Sequence, residues 1–357
     1  MPACGIEGAT VSVIGKTAEA AEESAPTTDS RQPLARQPRP AWRRRVIDFL
    51  WRYGLLVVWL LLAIVYSILR PDTFFTFANV QTIAGSQAVL VVVALALIPT
   101  LTAGEFDASV SSVTGISLVL IGWLNVLHGW SIWAAVGVAL GVGILIGLVN
   151  AFFVVVAHVP SIVVTLGMGT LLIGAAVGTN SLSTGGISPA LVSATHNNFI
   201  GLPLAFFYGL ILTAIFWYVF SYTPLGRYLY FVGAGRSVAR LSGIPVDWIR
   251  AGSFVAGSFL SALAGVLLAG WISASDPNLG PSYLLPAFAA AFLGASVLEP
   301  GRFNPWGTFV AVYFLVTGVT GLELLGLAGW IEQVFYGASL VLAVAVSTFA
   351  VSRRLTT

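Results

Sequence analysis

Two carboxylates stand almost side by side in TAGEFDASVSS, residues 102–112, between two long apolar runs. They belong to Glu105 and Asp107. A charged side chain at the centre of a membrane-spanning helix costs about 2.5–3.5 kcal/mol, so both acids need a physical reason to be there. On a continuous helix, residues two apart point about 200° from each other. The pair therefore cannot form one carboxylate face of a helix.

The residues around the two acids favour a break in the helix. Gly104 indicates the break, and Ser109, Ser111 and Ser112 are typical of a helix start. Asp107 is then a candidate N-cap or first-turn residue, stabilised by the positive end of the helix. A break near the membrane midplane would expose polar backbone to a polar solute, as in transporters. A solvated cytoplasmic turn between two spans is the alternative, and the sequence leaves both open.

A second candidate segment is the arginine-bearing loop at residues 223–250. Within it, GRSVARLSGI predicts a short amphipathic helix, with Arg236 and Arg240 four residues apart on one face. Gly243 can end this helix. A short rigid helix between two spans suits docking into the groove of a partner protein. The alternative is a positively charged anchor that binds anionic lipid.

The remaining polar residues give no sign of an enzyme or a metal site. His128, His158 and His196 are scattered without the spacing of metal ligands, and no nucleophile–base constellation is visible. Cys4 is the only cysteine, so no internal disulfide is expected. The span at residues 159–178 is dense in small residues, which serve close helix packing or line a polar path.

Composition fixes the class of protein that holds these segments. The 357 residues are 57% hydrophobic and 8% charged. Repeated apolar runs of about twenty residues match the bilayer core. We therefore predict an all-α polytopic membrane protein, because a membrane β-barrel has short alternating segments of about ten residues. No continuous basic face with interleaved aromatics is present, so we expect no nucleic-acid partner.

The chain is predicted to cross the membrane about ten times. The approximate limits of the predicted spans are residues 53–69, 80–102, 107–127, 131–157, 160–180, 203–220, 250–272, 283–298, 305–322 and 330–351. For the second, third, eighth and ninth of these, the short loops leave re-entrant turns open as the alternative. Arginines concentrate before the first span, in the 223–250 loop and at Arg353 and Arg354. Because cytoplasmic loops carry the excess of basic residues, we expect both termini in the cytoplasm. Residues 1–41 have no apolar period and predict a disordered tail, followed by a membrane domain over 42–352.

Three motifs together resemble the permease subunits of ATP-binding-cassette (ABC) importers for ribose, xylose, galactose and related sugars. The stretch AGEFDASVSS is similar to the family's GGIDLSVGS, with Glu105–Phe106 as a variant and matches at Gly104, Asp107, Ser109, Val110 and Ser112. The stretch at residues 147–167 keeps Asn150, Pro160, Thr165, Leu166 and Gly167. The most specific match is TPLGRYLYFVGAGRSVARLSGI, which keeps Gly226, Arg227, Tyr228, Gly233, Ala239, Arg240, Leu241, Ser242, Gly243 and Ile244.

The chain also departs from the family pattern. Ser237 and Val238 stand where acidic or small residues are usual, and Ala108 replaces a leucine. Leucine, glutamate and proline at residues 298–300 replace the glycines of a later motif. The resemblance therefore supports the coupling role better than the choice of solute.

The resemblance implies two sets of functional residues. A path for a small polar solute would run at or beside the break, with Gly104, Glu105, Phe106, Asp107, Ser109, Ser112, Asn150, Thr165 and Gly167. A cytoplasmic ABC ATPase would dock on a coupling segment containing Arg227, Gly233, Arg236, Ala239, Arg240, Leu241, Ser242, Gly243 and Ile244. The other implied partners are an extracytoplasmic solute-binding protein and a second permease copy or paralogue. ATP hydrolysis would lie on a separate subunit, and this chain would sit in the lipid of the inner membrane without a cofactor.

Three other functions remain open from the sequence. The first is an ABC permease for another solute, such as a nucleoside, an autoinducer or a branched-chain amino acid. The second is an ion-coupled secondary transporter, which would need paired intramembrane charges, and only Glu105 and Asp107 are candidates. The third is a membrane scaffold, which would not require the polar break.

Overall fold

Long apolar helices joined by short loops make up this computed structural model, as the sequence predicts. It describes the backbone of residues 41–327 and 329–354, and the side chains of residues 52–327 and 329–345. The predicted tail at 1–41 lies, except for residue 41, outside the described residues, and so do the side chains of Arg353 and Arg354. The prediction of an all-α polytopic membrane protein is confirmed.

The helices of the described chain are α1 (Ala41–Leu69), α2 (Phe77–Thr102), α3 (Val110–Gly122), α4 (Ile132–Ala151), α5 (Ser161–Thr179), α6 (Pro189–His196), α7 (Leu204–Tyr222), α8 (Pro224–Ala234), α9 (Arg236–Leu241), α10 (Val246–Ile272), α11 (Leu279–Ser282), α12 (Leu284–Gly294), α13 (Pro305–Leu324) and α14 (Trp330–Arg354). One π-helical turn follows α3 at Trp123–Leu127, and another follows α4 at Phe152–Val156. Two pairs of very short antiparallel strands join the loops. Strand β1 (Thr184–Gly185) pairs with β4 (Ala274–Ser275), and β2 (Asn198–Phe199) pairs with β3 (Leu202–Pro203).

Eight helical segments of the described chain are long and apolar enough to cross a membrane, and two shorter apolar segments accompany them. The shorter ones, Leu279–Gly294 and Trp330–Ala345, correspond to the predicted spans 283–298 and 330–351. The first of these predictions is wrong at its end, because α12 stops at Gly294. The side-chain amide of Asn304 donates to the carbonyls of Gly294 and Val297, at 3.1 and 3.0 Å, and so stabilises a loop where the sequence predicted helix.

Burial separates the central helices from the peripheral ones. α2 is mostly buried, whereas Tyr66 is the single buried residue of α1 between Arg52 and Leu69, although both segments are apolar enough to cross a membrane. α10 packs against α2, α3 and α4, so these four helices form the centre of the bundle. Polar residues are buried there together with apolar ones, among them Thr100, Ser109, Asn150 and Ser261. The centre that holds the two acids is therefore partly polar.

Most of the arginines whose side chains are described lie at one end of the bundle. Successive spans alternate in direction, which brings together the start of α1, the end of α2, the loop from α7 to α10 and the loop from α12 to α13. Two contacts support this arrangement: the backbone N–H of Leu298 donates to the carbonyl of Arg52 at 3.1 Å, and Arg236 donates to the carbonyl of Gly104 at 3.1 Å. We call this end the arginine face. It carries six of the seven arginines whose side chains are described, namely Arg52, Arg227, Arg236, Arg240, Arg250 and Arg302, whereas Arg70 lies at the other end.

Candidate functional site

The predicted break is present between α2 and α3. α2 ends at Thr102 and α3 begins at Val110, so the predicted span start at residue 107 is three residues early. Gly104 has φ +74°, a left-handed conformation that glycine adopts without strain. The N–H of Glu105 then donates to the carbonyl of Thr100 at 2.9 Å, which satisfies one of the last carbonyls of α2. The break is thus a defined turn.

The Glu105 carboxylate is buried between two arginines. Its Oε1 atom accepts a hydrogen bond from Nη2 of Arg236 at 2.7 Å and from Nε of Arg250 at 2.6 Å. The side chain of Glu105 is 3% exposed, compared with 9% for Arg250 and 45% for Arg236. A buried charge is tolerated when it is paired and hydrogen-bonded. The interpretation of this acid as part of a solvated turn is therefore wrong, and we call the three residues the Glu105 cluster.

Both arginines come from the 223–250 loop, which from the sequence alone is a second candidate segment, separate from the break. Arg236 is the first residue of α9, the short helix predicted from GRSVARLSGI, and Arg250 lies in the first turns of α10. Arg240 and Asp247 pair on the outer side of the loop, with Nη2 and Oδ1 3.0 Å apart. The Glu105 cluster therefore fastens α9 and the start of α10 to the broken end of α2.

Gly233 allows α8 to lie directly on this break. A side chain on Gly233 would collide with the carbonyl oxygen of Thr102. Gly104 faces the same glycine, and a β-carbon added to Gly104 would lie 3.5 Å from the Gly233 Cα atom. The close approach explains why a residue without a side chain stands at position 233.

Asp107 points into the bundle, away from Glu105. Its Oδ1 atom accepts hydrogen bonds from the N–H of Ser109 at 2.9 Å and from the Ser109 hydroxyl at 2.6 Å. The Asn150 side chain donates to the same hydroxyl oxygen at 2.9 Å. The prediction of Asp107 as an N-cap or first-turn residue is wrong, because Ser109 precedes the helix and Asp107 closes a turn two residues earlier. We call Asp107, Ser109 and Asn150 the Asp107 network.

Burial changes the chemistry of Asp107, which lies in the loop between the two spans. It raises the pKa of the Asp107 carboxyl to about 6, while the two hydrogen bonds from Ser109 act in the opposite direction. The Oδ2 atom of Asp107 and the Oδ1 atom of Asn150 are buried and have no hydrogen-bond partner among the described residues. Ser117 and Ser258, on the neighbouring helices α3 and α10, also have buried hydroxyls without a partner there. In a native protein, unsatisfied buried polar atoms of this kind are explained by local strain, a functional role or a bound water or ion.

The start of α5 holds the backbone of the break. The Thr165 hydroxyl accepts from the N–H of Ala108 at 3.1 Å and lies 3.2 Å from the carbonyl of Phe106. The Ser161 hydroxyl accepts from the N–H of Phe106 at 3.2 Å. The Phe106 ring stacks on Phe288 of α12, with centroids 4.5 Å apart and planes 8° apart. The break thus contacts α5 and α12 as well as the arginine loop.

The predicted solute-path residues are brought together with one exception. Gly104 to Ser109, Asn150 and Thr165 form a connected set of contacts, and Ser112 faces α5 at Gly169. Gly167 does not join them, because it is exposed and a β-carbon added there would meet nothing within 4 Å.

The predicted coupling residues divide into three groups. Gly233 and Arg236 contact the break, and Ala239 is buried against residues of α8 and α10. Ile244 packs beside Ala239. Leu241, 90% exposed, faces outward together with Arg240, Ser242 and Gly243. Arg227 forms the third group, because it is separate from these inward-facing and outward-facing residues and lines a cavity with Arg52 and Arg302.

Sequence reasoning missed Arg250 as the partner of Glu105. The sequence alone places it among the basic residues of a loop. The signal that could have found it is charge complementarity. An acidic side chain inside a membrane protein requires a cationic partner, and the loop contains four arginines. Among the described residues no group of three His, Cys, Asp or Glu side chains is arranged to hold a metal ion.

Comparison with known proteins gives consistent matches. Residues 79–344 match the model of a family described as branched-chain amino acid transport system, permease component. The autoinducer 2 import system permease protein LsrD of Salmonella typhimurium is 27% identical over 311 residues, which cover 85% of this chain and 92% of that protein. The ribose import permease protein RbsC of Haemophilus influenzae is 28% identical over 301 residues, covering 83% of this chain and 92% of that protein. The LsrD protein of Yersinia enterocolitica is 29% identical over 271 residues, covering 74% and 82%. No solved structure gives a significant match.

Proposed function

This chain belongs to the family of permease components of branched-chain amino acid transport systems, and we propose that it is the permease subunit of an ABC importer for a monosaccharide or a similar small polar solute. It is a multi-pass protein of the inner membrane. The arginine face is then the cytoplasmic face, since basic residues concentrate there. One of the relatives imports ribose and another autoinducer 2, so the solute stays open between these kinds of molecule.

The Glu105 cluster is the observation that carries this proposal. It joins the broken end of a central span to α9 through Arg236 and to the start of α10 through Arg250. Displacement of α9 and the adjoining start of α10 by a cytoplasmic partner would therefore move the break, because the buried Glu105–Arg250 pair resists separation. A purely anchoring loop has no use for such a connection.

The outer side of the same segment suits a protein partner. Leu241 is 90% exposed and Trp248 is 81% exposed, on the cytoplasmic side of the spans. Large apolar side chains presented by a short helix fit a groove in another protein. We assign this groove to the cytoplasmic ABC ATPase, whose closure on ATP would push α9 towards the membrane.

The Asp107 network supplies the polar surface for the solute. Among the described residues, buried oxygens on Asp107 and Asn150 have no donor, and buried hydroxyls on α3 and α10 have no partner. A hydroxyl-rich solute offers donors and acceptors for such atoms. Movement of the break, transmitted from Glu105 two residues away, would change the position of these atoms. Alternating access between this chain and a second permease copy would then carry the solute inward, delivered from outside by a binding protein.

Co-purification tests the assembly. The tagged chain is solubilised gently from native membranes, and its partners are quantified by mass spectrometry. We expect a cytoplasmic ATPase in near-equal amount. Leu241→Asp should reduce that amount, whereas Leu182→Asp, a matched exposed leucine at the other end of the bundle, should not. A chain that is recovered alone in several mild detergents would contradict the proposal.

The energy source separates this function from an ion-coupled transporter. The Glu105 charge is neutralised by two arginines, which leaves it poorly suited to binding a cation. Uptake by cells should therefore continue when an uncoupler collapses the proton gradient and ATP is kept high. Loss of uptake under these conditions would favour the ion-coupled alternative. The solute itself is identified from what the purified binding protein carries.

A further inference from the structure

A cavity of about 410 Å³ lies on the arginine face, apart from the Glu105 cluster. Its walls come from the start of α1, the end of α7, α8 and the loop between α12 and α13. Its size is within the range of about 300–1,000 Å³ typical of small-molecule pockets. Neither the break nor α9 contributes to its walls, so the proposed transport function does not account for the cavity.

Of the described side chains, three arginines and one acid line this cavity. They are Arg52, Arg227 and Arg302, with Glu299 as the acid. None of the three guanidinium groups is within ion-pair distance of a carboxylate belonging to the described side chains. The Arg302 guanidinium lies 5.2 Å from the centre of the Tyr230 ring, which holds it in place without neutralising it. The cavity therefore has an excess of positive charge and favours an anion.

The walls of the cavity are held by hydrogen bonds. The Tyr230 hydroxyl donates to the carbonyl of Phe303 at 2.7 Å and so ties α8 to the α12–α13 loop. The N–H of Leu298 ties the same loop to α1. Asn304 stabilises it from within, since its amide donates to two loop carbonyls and its Oδ1 atom accepts from the N–H of Gly307. The arginines are thus presented by a fixed frame.

The position of the cavity points to lipid. It lies where three spans begin or end, which is the level of the headgroups. Trp217 of α7 and Trp306 of α13 line it, and tryptophan is enriched at that level of membrane proteins. On one side, Tyr66 is the single buried residue of α1 between Arg52 and Leu69, and on the other side α7 exposes Tyr218 and Tyr222. A ligand can therefore reach the cavity sideways from the bilayer.

From these observations we infer that the cavity binds the phosphate headgroup of an acidic phospholipid. The arginines contact the phosphate oxygens, for which the guanidinium group has matching donor geometry. The acyl chains lie along the exposed surfaces of α1 and α7. Basic pockets between spans on the cytoplasmic side bind lipid headgroups by the same chemistry.

Native mass spectrometry of the full-length chain tests this inference. The chain is purified in a mild detergent and mixed with phosphatidylglycerol or phosphatidylcholine at equal concentration. We expect the chain to retain phosphatidylglycerol in preference to phosphatidylcholine. Arg227→Gln should reduce this retention about five-fold, because each arginine near the membrane surface strengthens the binding of an acidic lipid by about that factor. The double variant with Arg302→Gln should reduce it about 25-fold. Arg227 is the cleanest position, since its side chain has no hydrogen-bond or ionic partner among the described residues.

Arg240→Gln is the matched control, because Arg240 is an exposed arginine of the same face outside the cavity. It should leave lipid retention unchanged, and Arg302→Lys should retain more lipid than Arg302→Gln. Equal retention of the two lipids would overturn the inference, and so would an equal loss in the Arg240 control. Displacement of phosphatidylglycerol by millimolar inorganic phosphate would overturn it too, since the ligand would then be a free anion. Thermal midpoints of the variants, measured in the same detergent, identify any that have failed to fold.

Discussion

Arg250 and Arg236 contact the same carboxylate oxygen but should contribute very differently to stability. Replacing Arg250 by methionine leaves Glu105, 3% exposed, with one remaining partner that is 45% exposed. Removing one member of a buried ion pair costs about 3–5 kcal/mol. Because Arg236 remains, we expect the lower end, about 3 kcal/mol, which is more than a hundred-fold in the unfolding equilibrium. Arg236→Met should cost only about 0–1 kcal/mol, since water already screens that side chain.

The assay is equilibrium unfolding in mixed micelles of dodecyl maltoside and sodium dodecyl sulfate, followed by circular dichroism. A double-mutant cycle with Glu105→Gln isolates the pair. In the Glu105→Gln background, Arg250→Met should cost less than about 1 kcal/mol, because no buried charge is left unpaired. The nearest other acid, Asp247, is 3.9 Å from Arg250 and half exposed, so it cannot replace Glu105.

Two results would refute this reasoning. Equal losses for Arg236→Met and Arg250→Met would mean that burial does not decide the strength of the two ion pairs. An undiminished loss for Arg250→Met in the Glu105→Gln background would mean that Arg250 stabilises the protein through packing alone. Either result would also remove the main support for mechanical coupling through Glu105.

Three further predictions follow from the same contacts. Gly233→Ala should destabilise the protein by about 1–3 kcal/mol, because its methyl group meets the Thr102 carbonyl. Gly235→Ala should cost less than about 1 kcal/mol, because its methyl group would meet the Val238 side chain at an ordinary contact distance of 3.9 Å; unfolding in mixed micelles measures both. Asp107→Asn should flatten the pH dependence of stability between about pH 4 and 6. The pKa of the buried carboxyl is raised to about 6, so its protonated form stabilises the fold below the ordinary pKa of an aspartate, and this contribution is lost as the pH rises through 6. Thermal midpoints of both proteins, measured from pH 4 to 8, test this, and an equal fall in the two would contradict it. Leu241→Asp should weaken ATPase association at least ten-fold with an unchanged thermal midpoint, since the side chain is 90% exposed, and unaltered co-purification would count against α9 as the docking helix.

The membrane class, the approximate spans and the two candidate segments were determined by the sequence alone. Apolar runs of bilayer length leave no other fold class, because a spanning chain must satisfy its backbone hydrogen bonds internally. Local signals also sufficed for the break at Gly104 and for α9, since a glycine conformation and an amphipathic period depend on neighbouring residues only. Local signals were not sufficient at Asp107. Aspartate and serine are residue types typical of a helix start, but the hydrogen bonds that Asp107 accepts from Ser109 form a turn before the helix and not an N-cap.

Only the tertiary structure decided which charges meet. Glu105 and Arg250 are 145 positions apart, and periodicity carries no information about contacts between distant segments. Whether Glu105 was solvated or paired depended on α8 and α10 packing against the end of α2. The same is true of the arginine cavity, where Arg52, Arg227 and Arg302 come from three regions of the chain. Charge in a membrane protein predicts that a partner is needed, because an unpaired buried charge is costly, but the fold selects the partner.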